Sequence, residues 1–105
     1  MGSKPVISQE LKNFKKKLEK KIGKITMVLF GSNATGKATP DSDVDLIIVS
    51  PSFSGKKFYE RSRGFWLAWE IDKPVDFICL TPEEFEEKSR QASIVSEALK
   101  HGITI

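Results

Sequence analysis

Leu11, Phe14, Leu18 and Ile22 recur at spacings of three and four, with Lys12, Lys15, Lys16, Lys17, Lys20 and Lys21 between them. That period predicts an amphipathic helix with one apolar stripe, opened by Ser8 as N-cap and stopped at Gly23. The pattern then changes. Residues 25–30 (ITMVLF) form a short apolar run that predicts a buried strand, closed by Gly31. A small, polar stretch over residues 31–42 leads into a second strand, Val44–Val49 (VDLIIV), and Pro51, Ser52, Ser54 and Gly55 mark the loop after it. Phe58, Phe65, Trp66 and Trp69 then fall mostly on one helical face, with Gly64 as the weak point of that helix. Pro74 stops the segment, and Val75–Leu80 (VDFICL) predicts a third strand. Thr81, Pro82 and Glu84 make a capping box with proline in the first turn, opening a helix toward Arg90. A last helical piece over residues 93–101 ends at Gly102, and residues 103–105 suit a short edge strand. The order α-β-β-α-β-α-α predicts one α/β (α+β) domain over residues 1–105: two layers, a small mixed sheet, helices packed on one face. A helical crossover makes the second and third strands parallel.

Composition narrows the chemistry. Of 105 residues, 39% are hydrophobic and 30% charged, a stock sufficient for a core. No apolar run approaches the roughly 20 residues of a bilayer span, and no secretory h-region is present, so a membrane is not expected. The single cysteine, Cys79, suits a reducing cytoplasm and reads as an inert core residue; the single histidine, His101, sits where it favours a helix dipole. A multi-histidine metal site and a histidine-based triad are thereby excluded. The net charge of +3 is unevenly spread: residues 1–24 hold eight lysines against Glu10 and Glu19. This marks the wet face of one helix, and nucleic acid is not an expected partner. Trp69 and Tyr59 are the aromatic residues expected at the surface, and Arg61 and Arg63 read as solvated charge.

Three carboxylates interrupt otherwise apolar strands. Asp43 and Asp45 are two apart at the mouth of the second strand, so alternation points them to one face. Asp76 holds the same relative position in the third. Parallel neighbours with acids near both N-terminal ends bring the three charges into one small volume, which is costly without a cation. Oxygen ligands alone point to Mg²⁺, with Mn²⁺ as the alternative. Ahead of them the first strand runs into Gly31-Ser32, where close backbone approach and the Ser32 hydroxyl suit an anion such as a nucleotide phosphate.

Gly31-Ser32, ten intervening residues, then Asp43-Val44-Asp45 resembles the signature of minimal nucleotidyltransferases of the DNA polymerase beta superfamily, the kind of domain found in HEPN/MNT antitoxins. Gly36 in the loop, Ser42 before the first acid, Leu46 after the second and Asp76 on a hydrophobic strand extend the likeness over nearly the whole chain. Thr35 departs from it, standing where relatives often carry arginine; Lys37 is the nearest substitute. The resemblance implies two Mg²⁺ ions about 4 Å apart. In it Asp43 and Asp45 bridge the ions, while Asp76 holds the ion nearer the acceptor hydroxyl. Gly31, Ser32, Lys37 and Ser42 would hold the phosphates of ATP. It further implies a transfer of AMP, with release of pyrophosphate, to a hydroxyl on a HEPN-type toxin partner, in an antitoxin role in the cytoplasm. A catalytically silent module that masks a partner protein, and a transferase acting on a small molecule, stay open as alternatives.

Overall fold

A computed structural model describes residues 3–39, 42–91 and 93–105. Helix α1 (Ser3–Ile22) leads into β1 (Thr26–Phe30), the single turn α2 (Ser32–Thr35) and β2 (Val44–Val49). A 3₁₀ turn (Pro51–Phe53) precedes the short helices α3 (Phe58–Arg61) and α4 (Phe65–Ala68), then β3 (Val75–Leu80). Helices α5 (Pro82–Ser89) and α6 (Ile94–His101) and the edge strand β4 (Ile103–Thr104) complete the chain. The four strands form one mixed sheet in the order β3-β2-β1-β4. β1 is antiparallel to β2 and β4, whereas β2 and β3 are parallel, as their helical crossover requires. Helix α1 starts five residues before Ser8, which therefore lies inside the helix; Pro5 falls in the first turn, where a missing N–H costs nothing.

The helices do not all lie on one face, which corrects the expectation from element order. Met27, Leu29, Leu46, Ile48 and Cys79 face a cluster with Leu11, Phe14 and Leu18 of α1 and Phe65 and Ala68 of α4. Val28, Ile47, Val49 and Leu80, of the opposite parity, face Val95 and Ala98 of α6, with Phe85 of α5 beside them. The reason is visible in VDLIIV and VDFICL. Both alternation classes turn apolar after the acid, and a strand with two apolar faces needs cover on both.

The crossover departs from a single helix at Gly64, whose φ of 89° no β-carbon residue adopts cheaply. Phe65, Trp66 and Trp69 of the crossover, with Phe14 of α1, gather around Phe77, their ring centroids 5.0–6.0 Å from it. Trp69 is half-buried and donates its indole N–H to the Lys73 carbonyl, whereas Trp66 is 57% exposed, the reverse of the expected order. Tyr59 is exposed, as expected.

Arg61 is not solvated charge but a buried bolt. It donates to both carboxylate oxygens of Glu84 at 2.6 and 3.2 Å and to the carbonyls of Cys79 and Lys56, each at 3.0 Å. Glu84 closes the Thr81 capping box at the same time, so one ion pair ties the crossover to the start of α5. The Arg61 hydrogen bonds hold the Glu84 carboxyl below its ordinary 4.5. A depressed carboxylate stabilises the fold above its unfolded pKa and loses that contribution as pH falls through its folded value. We expect Glu84→Gln to cost about 1–2 kcal/mol at pH 7, since a charged bond becomes a neutral one at a partly exposed site. Wild type and variant should converge in thermal melts well below pH 4.5.

Candidate active site

β2 and β3 pair in a register that sets Asp45 directly beside Asp76. In-register neighbours on adjacent strands share a face, here the one that α5 and α6 cover farther along the strands. Asp43 lies two residues before Asp45 and continues the same alternation just outside the strand. Asp45 also pairs with Phe30, the last residue of β1, so the turn that follows β1 arrives at its side chain. Gly31 makes that approach with φ 76° and ψ −159°, and a β-carbon there would collide with Asp45 Oδ2. Glycine serves twice at this point, for its positive φ and for its missing side chain. After it, Ala34 and Thr35 N–H groups donate to the Gly31 carbonyl at 3.0 and 3.2 Å, closing the turn of α2. The Ser32 and Asn33 amides begin this turn and so have no partner within it.

The acids are uneven in exposure: Asp43 and Asp76 are exposed, Asp45 partly buried. Asp45 has its carboxyl raised above the ordinary 3.8, first by burial, then by the charges of Asp76 and Asp43. The three are thus electrostatically coupled. Among the described residues no group of three His, Cys, Asp or Glu side chains is gathered closely enough to hold a metal ion. The donor chemistry nevertheless fits a hard divalent cation: three carboxylates of like charge, the central one disfavoured as an anion and the other two exposed to solvent.

The remaining expected phosphate contacts are placed as follows. Lys37 is exposed, and its backbone N–H donates to the Ser32 carbonyl at 3.1 Å. The Ser42 hydroxyl accepts from the Thr39 amide at 2.8 Å and lies 3.2 Å from the Thr39 hydroxyl, so its hydrogen bonds are local. Asn33, which the sequence did not single out, is buried and donates through Nδ2 to the Asp43 carbonyl at 2.7 Å. A cavity of about 620 Å³ lined by Ile25, Val49, Pro51, Pro82 and Phe85 opens at the far end of the strands, away from the acids. Cys79 is buried and burial pushes its thiol up to about 12, in spite of the nearby Arg61 charge. A thiol-reactive disulfide reagent at pH 8 is expected to label it only as the protein unfolds; immediate stoichiometric labelling of folded protein would contradict that placement.

Comparison with known proteins gives two positive findings. The sequence profile described as "Nucleotidyltransferase domain" matches residues 11–104. A crystal structure from Sulfolobus solfataricus, described provisionally as a nucleotidyltransferase, superposes with a TM-score of 0.55 at 20% identity. The match covers 99% of this chain and 87% of that one, and at such identity it speaks for the fold alone. No curated protein matches the chain significantly. No helix among the described residues is long and apolar enough to cross a membrane.

Proposed function

The chain belongs to the nucleotidyltransferase domain family, and on that premise we propose that it transfers a nucleoside monophosphate from a nucleoside triphosphate to a hydroxyl acceptor, with Mg²⁺ as cofactor. The observation that carries this reading is the Asp45–Asp76 register beside the Gly31 turn. Asp43, Asp45 and Asp76 would hold the cations, which when bound neutralise phosphate charge and lower the pKa of the acceptor hydroxyl. Asp76, exposed on the edge strand β3, would take the proton of the acceptor hydroxyl. Gly31 and Ser32 would place backbone amides against the β- and γ-phosphates; Lys37 would supply a mobile positive charge to the same group. Attack at the α-phosphorus forms one P–O bond and breaks another, releasing pyrophosphate with no covalent enzyme intermediate.

The exposed Asp43 and Asp76 leave room for an acceptor carried on the surface of another protein. We take that acceptor to be a hydroxyl of a HEPN-type toxin, the nucleotide to be ATP, and the role to be antitoxin. The lack of a ready-made three-carboxylate metal cage among the described residues favours one competitor, a silent module that masks its partner by binding. Incubation with ATP labelled at the α-phosphate, Mg²⁺ and the candidate toxin separates them. Label on the toxin, absent with Asp43→Ala or Asp45→Ala, is the expected result. Tight binding with no label in any sample would establish the module instead.

A further inference from the structure

Asp43 Cγ and Asp45 Cγ hang from residues on either side of Val44, and the Asp43–Val44 peptide is gripped at both of its polar atoms. Its carbonyl oxygen accepts from Asn33 Nδ2 at 2.7 Å. Its N–H, on Val44, donates to the Pro74 carbonyl at 2.8 Å. Asn33 belongs to the turn that follows Gly31-Ser32, and Pro74 precedes Asp76 by two residues. One peptide plane therefore joins the three segments that carry the site. Resting on the nucleotidyltransferase reading, we propose that Asn33 is a positioning residue that fixes the Asp43 and Asp45 carboxylates relative to each other and to the phosphate-binding turn.

The physical grounds are three. Asn33 is 9% exposed, so its amide cannot trade this bond for water without exposing a buried group. The bond spans ten residues of chain in which the other described hydrogen bonds, Lys37 N–H to the Ser32 carbonyl and Thr39 N–H to the Ser42 hydroxyl, are local. Asp45 is held by its strand partners Phe30 and Asp76, whereas Asp43 lies just outside the strand, so a peptide released at one polar atom lets Asp43 shift against Asp45. An alanine at this position leaves the Pro74 bond in place and releases the other side.

The test compares wild type with Asn33→Ala, Asn33→Ser and, as a control in the same turn, Thr35→Ala. Mn²⁺ affinity is read by electron paramagnetic resonance without nucleotide or acceptor, so no turnover is needed. Loss of a residue that orients metal ligands from outside typically weakens affinity or activity about 10–100-fold. We expect that loss in both Asn33 variants, faster hydrogen exchange at the Val44 amide, and a kcat that falls while KM for the nucleotide stays within about twofold. Thr35→Ala should match wild type. Should Asn33→Ala not fold, Asn33→Ser decides, because its shorter hydroxyl cannot span the gap to the carbonyl. Mn²⁺ affinity within about threefold of wild type in a folded Asn33 variant overturns the positioning role and leaves the nucleotidyltransferase reading standing. Wild type that binds Mn²⁺ in an Asn33-dependent way but transfers nothing keeps the positioning role and ends the transferase reading. Wild type that binds no Mn²⁺ overturns both.

Discussion

Asp45→Asn is expected to abolish transfer and to make the protein more stable at neutral pH. The loss of rate should be about 10³-fold or more, since on the proposed function this carboxylate holds a cation that supplies several kcal/mol of charge stabilisation to the transition state. The gain in stability follows from the sign of the Asp45 shift. Its carboxyl is raised above 3.8 by burial and by two neighbouring acids, so the folded protein holds this proton more tightly than the unfolded chain. Stability is therefore lost as pH rises from 3.8 through the folded value. Asparagine keeps the shape without that charge. A gain of about 0.5–2 kcal/mol, or several degrees in Tm, is the size usual when a residue retained for function is replaced. The advantage should fade in acid, where wild-type Asp45 is itself neutral. Added Mg²⁺ should raise the Tm of wild type and leave the variant nearly unmoved.

Gly31→Ala is expected to damage the same site from the other side. The substitution forces a β-carbon into a backbone at φ 76° and drives it into the Asp45 carboxylate. Strain of this type costs about 1–3 kcal/mol at a single residue. The structure has two ways to relieve it. Either the turn retreats and the Gly31 and Ser32 amides leave the proposed phosphate position, or Asp45 swings away from Asp76. Both outcomes reduce transfer, by about 10² for a shift near 1 Å. Combining Gly31→Ala with Asp45→Gly, which empties the space the new methyl needs, should recover part of the lost stability and none of the activity. Additive losses of stability in the double variant would mean that Gly31 and Asp45 do not meet.

How far the sequence foretold this site depends on how local each signal was. β2 and β3 could be placed by their apolar runs, and the equal position of Asp45 and Asp76 within them foretold the register once the crossover made them parallel. The Thr81-Pro82-Glu84 cap was legible because all of its partners lie within one turn. What escaped was non-local. Arg61 looked like any charged helical residue, and only tertiary packing brings Glu84 to it from 23 positions away. Asn33 sat in a polar turn where asparagine ordinarily bonds its own neighbours, and its partner is ten residues distant. The second helical layer was written in VDLIIV and VDFICL as unbroken apolarity, a signal that an element-order argument passes over.

Asp45 and Asp76 are proposed to serve one shared cation, and a double-mutant cycle in Mn²⁺ binding tests that with four proteins: wild type, Asp45→Asn, Asp76→Asn and the pair. Each single substitution is expected to weaken binding by an order of magnitude or more, and the second to add little once the first is made. Full additivity, or either single variant binding Mn²⁺ as tightly as wild type, would mean that these two neighbours across the strands never held the same ion.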